Sequence, residues 1–278
     1  MQAIVNHLIQ LQELLMIKDE QKVLGGTEHL QRMDASILTM KNELRGDVRL
    51  TFDRLQKKDF LVIVPVSDGI CAACGLRLPI SLVQQVRMCK EIQACPSCAR
   101  MLFAPEVRPK RIPGRVRRTD PPKVGISRFT SHSLMIPKLE AVDKEGAIKE
   151  LAFKMETEGF VDKAGKLVEE ALRREAIIST AVSHGVAFPH VRGIEGGGLT
   201  LALGMSQKGI QFDGDNNLSK LIFFMVIPIA ASAFYLKLLS GLTEALMKPE
   251  ARKALLAEKD DPEKLWKALV KVTRSTIK

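Results

Sequence analysis

Pro189-His190-Val191-Arg192 sets an imidazole directly after a proline, with a guanidinium two residues later. Proline fixes φ near about −65° and donates no backbone hydrogen bond, so it is a rigid bracket in front of the histidine. If the segment beyond it is extended, His190 and Arg192 share one side, because strand side chains repeat every second residue. A nucleophilic ring nitrogen beside a planar cation suits phosphoryl chemistry. On these four residues alone, a loop histidine next to a surface arginine is the preferred reading.

A second constellation is made of sulfur. Cys71-Ala72-Ala73-Cys74 and Cys95-Pro96-Ser97-Cys98 are two Cys-x-x-Cys pairs separated by residues 75–94. Four thiolates at this spacing suit tetrahedral zinc, and four protein ligands leave no open coordination position, so the expected metal is structural Zn2+. A redox role would need only one pair and a thioredoxin-like context, which is missing. Cys89 is read as a small buried or neutral residue outside the ligand set.

The elements that must carry these groups follow from apolar spacing. Ile4, Leu8, Leu11 and Leu15 recur at helical, nearly heptad intervals, and Gly25-Gly26 stops the pattern. A second run, Leu30, Met33, Ile37, Met40 and Leu44, takes a second successive four-residue step to Val48, then Phe52 and Leu55, which reads as a stutter in one continuing helix. The pair predicts an antiparallel helical hairpin, a short coiled coil, over 1–60. Its Met and Leu stripe is core, and His7 and His29 are surface or flank residues. Leu61 to Val66 contains Pro65 and predicts an edge strand or connector.

Further on, Ala147, Ile148, Leu151 and Met155 share a face of a helix over Lys144–Glu158, and Asp162 is placed to cap the next helix, through Arg174. Leu199 to Met205 and part of Gln211–Phe212 alternate, and Leu221 to Ile227 is a fully apolar strand. Leu236 to Met247 and Pro262 to Thr273 are helices, the latter with proline in its first turn after Asp261. Alternating helices and strands give an α/β class for this half.

Composition narrows the function classes. Hydrophobic residues are 46% of the 278, enough for packed cores, while aromatics at 5% argue against a stacking platform for single-stranded nucleic acid. The net charge of +10 is uneven. Arg108 to Arg128 holds eight basic residues and one acidic, against twenty basic and nineteen acidic from Leu139 to Lys278. With prolines 105, 109, 113, 121 and 122, the stretch 105–132 reads as a basic, extended linker, and its charge leaves nucleic acid open as a less favoured partner. The longest apolar run, Leu221 to Leu236, is interrupted by Pro228 and shorter than the roughly 20 residues of a membrane span, so no membrane insertion is expected. Met1-Gln2-Ala3-Ile4 does not begin an export signal, and metal-bound thiolates fit a reducing cytoplasm.

A longer signature surrounds His190. Arg174-Glu175, Ser179-Thr180, Gly185-Val186-Ala187 and Pro189-His190-x-Arg192 together resemble the active-site signature of enzyme IIA domains of the bacterial phosphoenolpyruvate:sugar phosphotransferase system, of the fructose/mannitol/nitrogen-regulatory type. The resemblance covers 133–278 and includes an opening at Met135-Ile136-Pro137. It implies a mixed sheet flanked by helices. It also implies that His190 accepts a phosphoryl group from the phosphohistidine of the carrier protein HPr, with Arg174 and Arg192 stabilising its charge; a competing reading pairs Arg174 with Glu170 on its own helix. Sugar-transferring members usually carry a second active-site histidine after the apolar strand, and here Tyr235 stands at that place. His184 is read as a turn residue before Gly185, and Gly196-Gly197-Gly198 as a connection.

The other half also has a relative in pattern. A helical hairpin, then Cys-x-x-Cys, then Cys95-Pro96-x-Cys98-x-Arg100-x-Leu102-Phe103 resembles bacterial coiled-coil adaptor or regulatory proteins that end in a C4 zinc ribbon. Ala99 departs from that pattern, which has glycine after the last ligand. The expected organisation is hairpin 1–60, zinc ribbon 61–104, linker 105–132 and IIA-like domain 133–278. The expected function is a cytoplasmic regulator that takes a phosphoryl group on His190 and uses the hairpin and ribbon to bind a protein partner. Two alternatives are a nucleic-acid-associated zinc-ribbon factor with a degenerate IIA scaffold, and a IIA subunit passing phosphate to a IIB component.

Overall fold

The computed structural model describes residues 1–25, 30–105, 123–194, 198–212 and 217–278. The chain divides into two compact units, Met1–Arg108 and Pro109–Lys278. Most of the basic, proline-rich stretch lies outside the described residues, as do Gly26, His29 and Gly196-Gly197.

In the first unit, helix α1 runs over Gln2–Leu24 and stops at Gly25, whose φ of 79° lets its N–H reach the Gln21 carbonyl. The second apolar run does not continue as one stuttering helix. It divides into α2, Leu30–Asn42, and α3, Gly46–Gln56. Arg45 leaves the helical region at φ −57°, ψ 146°, while Leu44 stays buried at the corner. The four-residue step to Val48 therefore marks a change of direction that returns Val48, Phe52 and Leu55 to the core. Lys41 ties the two pieces together through Asp53 at 2.8 Å and Gln56 at 2.6 Å. His7, read as a surface residue, joins α1 to α2 through a 2.8 Å hydrogen bond to the Met40 carbonyl.

Strand β1 follows at Ile63–Ser67, then β2 at Ile70–Cys71, helix α4 at Ile80–Met88, β3 at Gln93–Ala94 and β4 at Met101–Phe103. The sheet order is β2-β1-β4-β3, so the segment expected at an edge is internal. Pro65 is tolerated because β1 changes partner there. Ile63 to Pro65 pairs with β4, and Val66 to Ser67 pairs with β2. The helices and this sheet share one hydrophobic cluster, in which Leu8, Leu11, Ile37, Phe52 and Leu55 meet Val62, Ile63, Met101 and Phe103.

Gln12 stitches the two layers. Its side-chain carbonyl accepts from Val62 N at 2.6 Å and Ile63 N at 2.9 Å, and its amide donates to Ile63 O at 3.0 Å. From the middle of α1 it completes the strand's hydrogen bonding as a neighbouring strand would. Gln12→Leu keeps the volume and leaves three backbone groups without these bonds. It is expected to cost about 2–3 kcal/mol in the denaturant unfolding of this unit.

The first strand of the second unit is β5, Met135–Ile136. Helix α5, Lys144–Thr157, is capped by Asp143, which accepts from Gly146 N at 2.7 Å. Helix α6 spans Ala164–Ile177. Asp162 does not occupy its cap position. Lys163 does, at φ 54°, and the first amide, Ala164 N, donates to Glu156 of α5 at 3.0 Å. The short strands β6, Ala181–Val182, and β7, Val186–Ala187, form a hairpin in which His184 and Gly185 take φ of 72° and 75°. Strand β8, His190–Ile194, follows.

Strands β9, Thr200–Gln211, and β10, Leu218–Pro228, make the long antiparallel pair at the centre. The two alternating pieces read before Leu221 are thus one strand. On its other edge, β10 pairs in parallel with β7 and then β8, so the sheet is mixed. Every residue from Leu221 to Pro228 is buried. Successive side chains point to opposite faces, so both faces of β10 are covered. The apolar run then turns at Pro228 and becomes α7, Ser232–Met247. Helices α8, Pro249–Leu256, and α9, Pro262–Thr273, follow, with Asp261 capping α9 through Glu263 N at 2.8 Å.

Candidate functional site

The bracket Phe188-Pro189 separates β7 from β8, and both sides of it stay in register with β10. Pro189 still contributes its carbonyl, which accepts from Met225 N at 3.0 Å. Phe188 is buried and stacks on Phe223 of β10, with ring centroids 5.5 Å apart. The backbone in front of His190 is therefore held from both its polar and its apolar sides.

His190 itself is 1% exposed. Its Nδ1 lies 3.0 Å from the Phe188 carbonyl oxygen. A carbonyl can only accept, so Nδ1 carries a proton, and in the neutral ring the lone pair is then on Nε2. The Tyr235 hydroxyl is a longer neighbour of the same Nδ1, at 3.3 Å. Tyr235 comes from the first turn of α7, and its ring centroid is 5.1 Å from that of His190. The Arg192 guanidinium lies over the Tyr235 ring at 4.6 Å. Tyr235 thus touches both His190 and Arg192, which places the two on one side of β8. Arg174, at the end of α6, is 6% exposed, and its Nη1 donates to the Ile178 carbonyl at 2.9 Å.

The structure also reveals a residue whose chemistry the sequence signature did not disclose. Glu175 is buried, and its Oε1 accepts from Thr180 N at 2.8 Å and Ser179 Oγ at 3.0 Å, while Oε2 accepts from Thr180 Oγ1 at 2.7 Å. A glutamate followed four and five residues later by Ser-Thr, just beyond a helix end, is the signal that could have found it.

In the first unit, Cys71, Cys74, Cys95 and Cys98 bring their sulfurs within 4.8 Å of one another. Cys71 and Cys98 are 3.8 Å apart, and Cys74 and Cys95 are 3.7 Å apart. A tetrahedron with Zn–S near 2.3 Å has edges of about 3.8 Å, whereas a disulfide would need about 2.05 Å. The sulfur cluster fits a metal ion. Burial pushes the Cys71 thiol up to about 12, so a cation is needed to hold it as a thiolate. Burial also opposes ionisation of Cys98, but hydrogen bonds from the Arg100 backbone and guanidinium outweigh it and lower this thiol to about 7. Arg100 further binds Asp59 and donates to Leu61 O at 2.9 Å, tying the second cysteine turn to the chain leaving α3.

The two turns repeat one another. Gly75 N donates to Cys71 O, and Ala99 N to Cys95 O, each at 2.9 Å. Gly75 and Ala99 both lie in the left-handed region, at φ 75° and 61°. Alanine here keeps the glycine geometry at a steric cost. Ala99→Gly is expected to raise the stability of the metal-loaded unit by up to about 1 kcal/mol, read as a later denaturation midpoint. Cys89 ends α4, packs against the hydrophobic cluster and stands outside the sulfur cluster.

The family model described as "Phosphoenolpyruvate-dependent sugar phosphotransferase system, EIIA 2" matches residues 128–271, just over half of the 278. The chain belongs to this family. The matched EIIA span lies within the second unit and contains His190, Arg192 and Tyr235. A fructose-specific EIIA component from Haloferax volcanii is 33% identical over 132 residues, which are 47% of this chain and 86% of that protein. A fructose-specific EIIABC component from Bacillus subtilis is 31% identical over 141 residues, 48% of this chain and 21% of that longer protein. A nitrogen regulatory protein from Bradyrhizobium diazoefficiens is 29% identical over 137 residues, 49% of this chain and 88% of that protein. The EIIA relationship thus extends to both sugar-specific and nitrogen-regulatory proteins. Among the described residues, no helix is long and apolar enough to cross a membrane.

Proposed function

We propose that this EIIA protein is a phosphoryl-accepting regulator of the phosphotransferase system, with His190 as the acceptor and phospho-HPr as the donor. The observation that carries the reading is the 3.0 Å contact between His190 Nδ1 and the Phe188 carbonyl. It leaves Nε2 as the nucleophilic nitrogen. In the transfer, the Nε2–P bond forms as the P–N bond to the donor histidine breaks, and the donor nitrogen recovers its electron pair. The Nδ1 proton stays in place, and the Phe188 carbonyl steadies the positive charge on the phosphorylated ring. A loose phosphoryl transition state calls for alignment and charge stabilisation. Arg192 and Arg174 are the proposed cations, and Tyr235 holds Arg192 in place by offering its ring face.

The first unit is proposed to bind Zn2+ through Cys71, Cys74, Cys95 and Cys98 and to serve as the partner-binding module of a cytoplasmic protein. A regulatory role is favoured over sugar transfer because Tyr235, which is not cationic near neutral pH, stands where the transport-type pattern has a second histidine. Incubation with phosphoenolpyruvate, enzyme I and HPr, followed by intact-mass measurement, tests the acceptor. Adding a IIB component then separates a regulator, which keeps the group, from a transport subunit, which passes it on.

A further inference from the structure

The His190 imidazole is connected to a buried carboxylate through a series of hydrogen bonds. Glu175 at the end of α6 accepts from both the amide and the hydroxyl of Thr180, at 2.8 and 2.7 Å. The Thr180 carbonyl accepts from Phe188 N at 3.1 Å. The Phe188 carbonyl in turn accepts from His190 Nδ1 at 3.0 Å. Glu175, Thr180, Phe188 and His190 are all buried, at 4%, 1%, 1% and 1% exposure, so water does not compete for these partners.

The geometry of each link depends on the one before it. Thr180 lies just past α6, where the chain has left the helix and is entering the β6–β7 hairpin. Without a local anchor, its peptide could rotate about the connection. Glu175 grips it by two points, one on the backbone and one on the side chain, and fixes the direction of the Thr180 carbonyl. That carbonyl and the Phe223 ring together orient the Phe188 peptide, whose oxygen must aim at Nδ1. Which ring nitrogen carries the proton is set by the hydrogen bond the ring makes, so holding it on Nδ1 requires a well-aimed acceptor.

We infer that Glu175 is a positioning residue for His190: through Thr180 and the Phe188 carbonyl it keeps the imidazole proton on Nδ1 and so leaves Nε2 as the phosphoryl-accepting nitrogen. The inference rests on His190 being the acceptor, but its central measurement does not. In the full chain labelled with 15N-histidine, the ring nitrogen shifts of His190 report the tautomer directly, without any phosphoryl donor. Wild type is expected to carry the proton on Nδ1. Glu175→Ala is expected to move the ratio of the two tautomers toward Nε2–H by about tenfold, the worth of roughly one hydrogen bond. The phosphorylation rate should fall by a similar factor, with the KM for phospho-HPr unchanged.

Thr180→Val keeps the backbone amide and removes the hydroxyl, so it tests the same link if the alanine variant does not fold. It should shift the tautomer in the same direction, and Thr180→Ser should restore it. A wild-type ring protonated on Nε2 overturns the inference. So does a folded Glu175→Ala or Thr180→Val chain whose ring stays protonated on Nδ1. A wild-type chain with Nδ1–H that nevertheless takes no phosphoryl group leaves the Glu175 connection standing and removes the acceptor role instead.

Discussion

With phosphoenolpyruvate, enzyme I and HPr present, the wild-type chain is expected to gain the mass of one phosphoryl group, and His190→Ala none. The effect should be complete, because the proposed transfer forms its new bond on His190 Nε2. The label should be lost in acid and survive in alkali, as a phosphoramidate does. His184→Ala is the informative control. His184 lies six residues upstream in the β6–β7 turn, at φ 72°, and its replacement should leave labelling intact. His190→Gln keeps a polar side chain of similar reach and tests whether a defect reflects lost chemistry or lost packing. Equal labelling of wild type and His190→Ala would end the acceptor assignment.

Metal removal is expected to have the second large effect, and it should reach well beyond the cysteines. Structural zinc contributes on the order of 10 kcal/mol of apparent folding free energy in small zinc domains, which equals or exceeds the stability of a typical domain. Here the sulfur cluster holds the ends of β2 and β3, while Val62, Ile63, Met101 and Phe103 from the same sheet share a core with α1, α2 and α3. Chelation, or Cys98→Ser, should therefore release the helices as well as the ribbon. Hydrogen exchange should rise across Gln2–Leu24 and Gly46–Gln56, with loss of helical circular dichroism, while Leu221 to Pro228 keeps its protection. If exchange rises only around residues 70–100, the ribbon and the helices are energetically separate.

Much of the second unit was legible because its signals are local. Asp261-Pro262 starts α9 where expected, and the apolar run from Leu221 gives β10 until Pro228 ends it. The cysteine spacing likewise led to the sulfur cluster. What the sequence did not disclose is what depends on tertiary partners. Pro65 argues for an edge strand when only its missing N–H is counted, yet β1 lies inside the sheet because its partners change at that residue. The spacing from Leu44 to Val48 fits a stutter equally well as a corner, and only the position of the shared core decides. At the site, the motif named His190 and Arg192 but not the acceptor for Nδ1. That acceptor is a backbone carbonyl, and backbone atoms leave no mark in residue identities. Nor did it disclose that Glu175 reaches Thr180 on both amide and hydroxyl.

The burial of His190 has a kinetic meaning for the proposed function. A phosphoramidate exposed to solvent is drained continuously by hydrolysis. One enclosed to the degree of this imidazole, at 1% exposure, would lose its group chiefly when a docking protein displaces the surrounding side chains. The phosphorylated state would then persist as a memory of past donor supply, with a lifetime set by how often the right partner arrives rather than by water.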